Sequence, residues 1–462
     1  MIRYHARWVL PVGAPLLRDA CVAVEGDRIA FVGARHAAPS GEDVELGQCI
    51  VVPGLVNTHT HLDLAAFDGA LDGLPFFTWV RTLVRGLAEA SSGDALADAA
   101  MWSVADQLAH GVTTIGHTGP SAVAADAMHA LGARGVVYLE CFAPDPKQCN
   151  ASLADLRARV SRARERETAL VAIGVSPHAP YSVSDALYAS VAEYARAERL
   201  PVAVHIAESA EETDLVVRAA GPFADMLRAR GIAVSTRAES PVALLERVGV
   251  LSARTLCIHA VRLDAGDADR LASAGASVAH CPRANAWFGN AAAPVAELLS
   301  HGIGVGVGTD SIASNGELRV LAEASAAADA ALSSADRLAL ATMGGARALG
   351  MESRVGTLEP GKQADVAAFA VSDADACDRD PARYLLQHCA SNNSALTIVA
   401  GHVRSQNGHV VGVDDSLAQR MKFHRMRVRA WRVAAPENTG APREPDSRFR
   451  AWSAPGRVEG DG

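Results

Sequence analysis

Eight short apolar runs alternate with helical segments between residues 51 and 308, and this alternation restricts the possible fold more than any other feature. Most runs are continuously apolar, which is typical of strands in a sheet buried on both faces. Crossovers between such parallel strands are right-handed. Eight units over about 300 residues therefore predict a (β/α)8 TIM-like barrel. The runs are 51–58, 113–118, 135–142, 170–176, 201–207, 255–261, 276–281 and 304–308.

An open doubly wound sheet is the alternative to the barrel. Such a sheet usually carries a glycine-rich phosphate-binding turn after its first strand. In this chain the first run ends in His59-Thr-His61 instead. The sequence therefore favours the closed barrel.

Both chain ends are expected to build a second, smaller domain. Residues 1–50 contain short alternating strands of an antiparallel layer, and strand-like sequence returns at 364–370 and 395–412. We predict a composite β-sandwich domain at 1–50 plus 354–413, a barrel at 51–353, and a C-terminal extension at 414–462. The extension is expected to be helical at 415–433 and mobile beyond that.

Charge and cysteine usage restrict the partners and the compartment. A net charge of −9 is mild for 462 residues and argues against nucleic acid or an anionic membrane as a partner. No apolar run approaches the ~20 residues of a membrane span, and the N-terminus lacks signal-peptide features. The eight cysteines are scattered, without a Cys-x-x-Cys pair. We expect a cytoplasmic protein that acts on a small molecule, with a homodimer as its assembly.

Histidine and carboxylate side chains follow several of the inferred strands. His59 and His61 are two residues apart, so both side chains leave the same face of a strand. His205, His259 and Asp310 follow the fifth, sixth and eighth strands. Active sites of (β/α)8 barrels lie at the carboxyl ends of the strands. Any one such histidine is easily structural, but five potential ligands around one rim predict a metal site.

The motifs at these positions resemble those of the amidohydrolase superfamily, in its deaminase and chlorohydrolase branch, over residues 1 to about 413. The matching motifs are Pro-Gly-Leu-Val-Asn-Thr-His59-Thr-His61, His205-Ile-Ala-Glu208, His259, His280-Cys-Pro-Arg-Ala-Asn285, Gly308-Thr-Asp310-Ser311 and Gly356-Thr-Leu-Glu-Pro-Gly-Lys-Gln-Ala-Asp365. The resemblance implies His59, His61, His205 and Asp310 as metal ligands, Glu208 as proton shuttle and His259 as a catalytic partner.

The chemistry of hydrolytic metal sites is consistent with that division. Such sites leave one position for water and lower its pKa towards ~7. A base must then collect a proton and deliver it to the leaving group. Glu208 lies three residues beyond His205, where it can face this water without binding metal, and Asp310 can take a second proton. The alternative for Glu208 is a helix-start carboxylate stabilised by the helix dipole.

The resemblance also implies the number of metal ions. Two-metal branches of the superfamily bridge their ions with a carboxylated lysine on strand four, and residues 174–181 contain no lysine. The chain has only three lysines, Lys147, Lys362 and Lys422, and none follows that strand. We therefore expect one divalent metal ion, zinc, with iron as the alternative.

The substrate-binding predictions rest on weaker motifs. His178-Ala-Pro-Tyr181 resembles the strand-four element of adenosine-type deaminases, including S-adenosylhomocysteine and aminodeoxyfutalosine deaminases, and implies that His178 contacts substrate. The alternative is a structural histidine between two prolines. Segment 308–315 further resembles the aminodeoxyfutalosine deaminase subgroup. The remaining predicted substrate contacts are Trp79 and Arg81 after strand one, His280 and Ser311; Trp79 fits a helix facing the core equally well.

The sequence thus predicts a hydrolytic deaminase, an aminohydrolase of an aminated heterocycle such as aminodeoxyfutalosine or an adenosine derivative. A triazine-type chlorohydrolase uses the same parts and is the first alternative. A barrel that binds metal without turnover is the second. A protein that interacts through residues 415–462 is the third.

Overall fold

The computed structural model describes residues 1–327 and 329–434, which form two eight-stranded sheets. Residues 435–462, for which the sequence predicts a mobile tail, lie outside the described residues. The strands are β1 (Ile2–Val9), β2 (Leu17–Glu25), β3 (Arg28–Ala34), β4 (Glu42–Pro53), β5 (Leu55–Thr60), β6 (Val112–Gly119), β7 (Arg134–Cys141), β8 (Val171–Pro177), β9 (Val202–Ile206), β10 (Thr255–His259), β11 (Ser277–His280), β12 (Gly304–Val307), β13 (Val366–Ala370), β14 (Leu396–Val399), β15 (His402–Gln406) and β16 (His409–Val410).

Helices connect the consecutive strands from β5 to β14, and one further helix follows β16. They are α1 (Phe76–Ala90), α2 (Gly93–Ala109), α3 (Val123–Leu131), α4 (Cys149–Arg164), α5 (Asp185–Glu198), α6 (Ala210–Arg218), α7 (Gly221–Ala229), α8 (Pro241–Arg247), α9 (Asp267–Ala274), α10 (Pro282–Trp287), α11 (Val295–Ser300), α12 (Val320–Ala326), α13 (Ser334–Leu340), α14 (Met343–Ala348), α15 (Ala374–Arg379), α16 (Pro381–His388) and α17 (Leu417–Ala434). A 3-10 helix, Leu62–Phe67, follows β5 directly.

Strands β5 to β12 pair in sequence order and run parallel, which confirms the predicted (β/α)8 barrel. Every residue of β5, β6 and β7 is buried. This burial explains why the runs are continuously apolar: helices cover one face of the sheet and the barrel interior covers the other.

The barrel closes where its first and last strands meet. Thr60 and Asp310 form an isolated parallel bridge. The Asp310 N–H donates to the His59 carbonyl at 3.1 Å, and the Thr60 hydroxyl donates to the Asp310 carbonyl at 2.8 Å. The Asn57 amide holds the same seam by donating to Thr309 Oγ1 at 2.8 Å and accepting from the Thr309 N–H at 3.1 Å. The closure contacts therefore involve candidate metal ligands.

The second sheet is built from both chain ends, in the order β16-β15-β14-β13-β4-β1-β2-β3. Strands β1, β2 and β3 are antiparallel as expected, whereas β4 runs parallel to β1. The apolar run 51–58 is divided between the two sheets, because Val51–Pro53 end β4 and Leu55 begins β5. The division falls at Gly54, where a Cβ atom would lie 2.2 Å from Thr113 Oγ1. Only glycine allows this close approach.

A buried ion pair connects the two sheets. The Arg134 guanidinium, at the start of β7, is fully buried and donates to both carboxylate oxygens of Asp365, at 2.7 and 2.9 Å. Asp365 also accepts from the Ala400 N–H at 2.8 Å, and Arg134 donates to Gln363 at 3.1 Å. The end of the Gly356–Asp365 motif thus attaches the small sheet to the barrel.

Helix α17 lies in the segment for which a helix is expected, and it packs against α1, α2 and the 3-10 helix Leu62–Phe67. Arg420 and His424 each contact Asp98 of α2 at 3.0 Å. Arg425 donates to the Ala65 carbonyl at 3.2 Å, a few residues after β5. Across the described residues, no helix is both long and apolar enough to cross a membrane.

Candidate metal centre and active site

Three imidazoles and one carboxylate converge at the carboxyl ends of β5, β9 and β12. One ring nitrogen from each of His59, His61 and His205 lies within 4.8 Å of the others. Asp310 Oδ1 lies 3.4 Å from His59 Nε2 and 3.5 Å from His61 Nε2. Since neutral imidazole and carboxylate are the usual ligands of hydrolytic zinc sites, the set fits one divalent cation.

The hydrogen bonds around the three imidazoles are consistent with this fit. His59 is fully buried, and neither of its ring nitrogens has a hydrogen-bond partner among the described residues. His205 Nδ1 donates to the His178 carbonyl at 3.2 Å, which leaves Nε2 free as a ligand. Burial lowers the pKa of His59 and His61 well below the ordinary value. The rings are therefore neutral, as cation binding requires.

Glu208 follows β9 and is buried beside the four candidate ligands. Burial, followed by repulsion from Asp310 and Glu212, raises the pKa of the Glu208 carboxyl well above its usual value. Its Oε1 lies 3.5 Å from His259 Nε2. A buried carboxyl with a raised pKa next to a water-binding cation has the properties of a proton shuttle.

His259 is the last residue of β10, and a hydrogen bond on the side away from Glu208 fixes the orientation of its ring. Its Nδ1 donates to Asn285 Oδ1 at 3.0 Å, so Nε2 faces Glu208. Burial lowers the pKa of His259 to about 3. The Asn285 contact gives a structural reason for the asparagine at the end of the motif that begins at His280.

The backbone is strained where it carries these groups. Ala207, His259, Ala260 and Asp310 all have positive φ, at 52°, 72°, 48° and 53°. For residues other than glycine this costs about 1–3 kcal/mol each and needs support from the surroundings. The Glu212 carboxylate gives that support after β9: it accepts from the Ala207 N–H at 2.8 Å and from the Glu208 N–H at 3.0 Å.

The segment after β12 positions the Asp310 carboxylate. Ser314 Oγ donates to Asp310 Oδ2 at 2.7 Å, which leaves Oδ1 towards the histidines, and Ser311 Oγ lies 2.8 Å from Ser314 Oγ. Gly308 touches β5 so closely that a Cβ atom would lie 2.8 Å from the His59 N and O atoms. The glycine of the Gly308-Thr-Asp310 motif is therefore required by this approach.

The residues predicted to contact substrate differ in their burial and in their contacts. The His178 ring lies 4.8 Å from the His205 ring, and its Nδ1 bonds Ser182 Oγ at 2.7 Å. The Trp79 ring is buried in α1 and donates to the Ala313 carbonyl at 3.2 Å. Arg81 is exposed, with its guanidinium 5.6 Å from the Phe77 ring centre. His280 is fully buried, and both of its ring nitrogens lack partners within the described part of the chain. The substrate contacts of these residues stay predictions.

Sequence reasoning missed three buried carboxyl groups near the site: Asp63, Glu140 and Glu212. Burial raises the pKa of Asp63 to about 7 and that of Glu140 to about 8. An oxygen of Glu140 and a nitrogen of His178 and of His205 lie within 4.8 Å of one another. A signal for Glu140 was present, since it is the one charged residue in the apolar run 135–142.

Comparisons with known proteins agree with this geometry. A sequence model of the amidohydrolase family matches residues 50–411, which confirms the resemblance found in the sequence. The 5-methylthioadenosine/S-adenosylhomocysteine deaminase of Teredinibacter turnerae is 30% identical over 393 residues, covering 80% of this chain and 84% of that protein.

Solved structures give the same result. A zinc-bound adenosine deaminase of Xanthomonas campestris is 27% identical with a TM-score of 0.79, covering 93% of this chain and 98% of that one. An atrazine chlorohydrolase of Arthrobacter aurescens, crystallised with zinc, has a TM-score of 0.78 at 23% identity, with 93% and 100% covered, and shows the shared fold alone.

Proposed function

The chain belongs to the amidohydrolase family, and from that membership we propose that it is a metal-dependent hydrolytic deaminase of an adenosine-like compound. One observation carries the proposal: three neutral imidazoles and the Asp310 carboxylate converge on one point, with Glu208 and His259 beside it. The net reaction replaces the amine of the heterocycle by oxygen and releases ammonia.

The proposed ligands of the cation are His59, His61, His205 and Asp310. We propose zinc as the ion, because the adenosine deaminase of Xanthomonas campestris holds zinc on the same fold. A bound divalent cation lowers the pKa of water towards ~7 and so supplies a nucleophile at neutral pH.

The chain's own groups then move the protons. Glu208 takes a proton from the attacking water and delivers it to the ring nitrogen beside the carbon that carries the amine. His259 Nε2, 3.5 Å from Glu208 Oε1, accepts a hydrogen bond from the attacking water and so orients it. Asp310, whose Oδ1 lies 3.4 Å from His59 Nε2, accepts the second proton, which leaves with ammonia.

An adenosine-like substrate is supported by the relatives and by the surroundings of the site. The relative from Teredinibacter turnerae is named for deamination of two adenosine derivatives. His178 lies beside His205, within the motif predicted to contact substrate. The Tyr181 ring, from the same motif, stacks on Phe223 with 4.1 Å between ring centres and can border a flat heterocycle.

The test is a turnover assay on the zinc-loaded full chain. We expect ammonia release from adenosine, 5′-methylthioadenosine or S-adenosylhomocysteine, and no halide release from chlorotriazines. Glu208→Gln should lower kcat about 10²–10⁴-fold while the metal content is unchanged. Glu211→Gln, in the first turn of the following helix α6, should match the wild type. Halide release without ammonia release would refute the proposal in favour of a chlorohydrolase.

We also propose a cytoplasmic homodimer. All eight cysteines are free and buried, as in a reducing compartment. Phe423 and Met426 are each 54% exposed on the outer face of α17, where a second copy can cover them. Sedimentation of the wild type and of Phe423→Glu tests the assembly, and a monomeric wild type would refute it.

A further inference from the structure

The barrel mouth has a polar half that the proposed reaction does not use. His117 and Glu140 lie near the carboxyl ends of β6 and β7, and His178 follows β8. Asp63, from the turn after β5, is close to them, since a Cβ atom on Gly119 would lie 2.5 Å from His117 Nε2 and 3.1 Å from Asp63 Oδ2. The proton-transfer groups are instead Glu208, which follows β9, and His259, which ends β10. The polar half borders the cation site, because an oxygen of Glu140 lies within 4.8 Å of a ring nitrogen of His178 and of His205, and it is within reach of a substrate bound there.

Glu140 is an incompletely hydrogen-bonded carboxyl group in this half. Its side chain is 4% exposed, and Oε1 is buried without a hydrogen-bond partner among the described residues. No lysine or arginine of the described chain forms an ion pair with it, and the Arg159 guanidinium is engaged by Asp155 at 2.7 Å and by the Pro120 carbonyl at 3.1 Å. A buried carboxyl without a donor is costly. Hydrogen-bond donors on a ligand would remove that cost.

A second cation would fit poorly beside Glu140. The group that could hold it consists of Glu140, His178 and His205. His205 belongs to the main cation site as well, and its Nδ1 is already bonded to the His178 carbonyl. One remaining ring nitrogen cannot bind two ions. The two groups are therefore not filled by cations at the same time.

We propose that Glu140 binds the ribose of the substrate through hydrogen bonds to its vicinal hydroxyl groups. This assignment rests on the proposed deaminase function. The diol of a nucleoside supplies two adjacent hydroxyl groups, which match the two oxygens of one carboxyl side chain. The amine and a ring nitrogen of the base interact at Glu208. The hydroxyl groups of the sugar are therefore the hydrogen-bonding groups of an adenosine-like substrate that remain available to Glu140.

The test compares substrates that differ only in their hydroxyl groups. Steady-state kinetics of the zinc-loaded wild type are measured with adenosine, 2′-deoxyadenosine, 3′-deoxyadenosine and adenine. Loss of one hydroxyl should lower kcat/KM about 10- to 100-fold in the wild type, because it leaves a buried carboxyl oxygen without its hydrogen-bond partner. In Glu140→Gln the preference for adenosine over the deoxynucleosides should shrink to about 3-fold or less. Glu193→Gln, on the exposed face of α5, should keep the wild-type preference.

Each other outcome is decisive. Equal losses on adenosine, on both deoxynucleosides and on adenine in Glu140→Gln would overturn the ribose assignment. Two zinc ions per wild-type chain and one in Glu140→Gln would assign Glu140 to a cation instead. If Glu140→Gln binds no zinc, Glu140→Asp provides the same comparison, because it retracts the carboxylate by one methylene. No turnover of any nucleoside by the wild type would refute the deaminase function itself.

Discussion

Glu212 is predicted to position the proton shuttle, and Glu212→Gln tests this. Each oxygen of the Glu212 carboxylate accepts one backbone N–H, from Ala207 and from Glu208. Glutamine keeps one acceptor and turns an NH2 group towards the other N–H, so one buried donor loses its partner. The cost of such a donor is about 1–3 kcal/mol. The backbone can relieve it by leaving the strained conformation at Ala207, where φ is 52°, and this displaces Glu208.

If the full cost of the unpaired N–H raises the free energy of the transition state, kcat/KM falls about 5- to 150-fold. KM and zinc content should change little, because His205 precedes the affected turn within β9. Ammonia release and metal analysis are measured on Glu212→Gln and on the neighbouring control Glu211→Gln. A Glu212→Gln variant with control-like kcat, or one that loses zinc in proportion to activity, would refute the positioning role.

Three further outcomes are expected. Asp365→Asn should lower the free energy of unfolding, measured in urea, by about 3–5 kcal/mol, because it leaves the Arg134 charge buried without its partner; unchanged stability would contradict the connection between the sheets. Gly308→Ala should weaken zinc binding about 10- to 100-fold, since the added Cβ pushes on the His59 backbone; competition with a chelator measures this, and wild-type affinity would contradict it. Burial lowers the pKa of His280 to about 4, below its value of about 6.5 in an unfolded chain, so its contribution to stability is present above pH 6.5 and lost towards pH 4. His280→Gln should reduce the difference in unfolding free energy between pH 7 and pH 4 by on the order of 3 kcal/mol, and an equal difference in both proteins would refute the assignment.

The barrel could be predicted from the sequence because burial on both faces leaves a pattern that is local. Each apolar run reports its own strand, and parallel pairing brings every carboxyl end to one rim. The approach of His59, His61, His205 and Asp310 follows from that rule alone. The division at Gly54 could not be predicted, because an apolar run looks the same whether one sheet or two bury it.

The surroundings of the site depend on packing that the sequence does not reveal. Trp79 and Arg81 are two residues apart on α1, yet one is buried and the other is exposed, because the orientation of the helix decides which side chain faces the barrel. Glu140 lies in a strand-like run, and only the closed barrel brings it near His178. In the sequence, Glu212 looks like an ordinary carboxylate in the first turn of a helix. Its hydrogen bonds to the backbone of the preceding turn become evident only in the three-dimensional structure.

The seam between β5 and β12 has a consequence for the order of folding. The candidate ligands His59 and His61 lie on one side of it and Asp310 on the other, 251 residues apart between positions 59 and 310. A partly folded chain cannot offer all of these ligands together, so the affinity for the ion arises only as the ring of strands is completed. A bound ion then stabilises the β5–β12 closure at the end of folding. A chain synthesised without the ion closes the same barrel, but only the contacts between the two strands hold it closed.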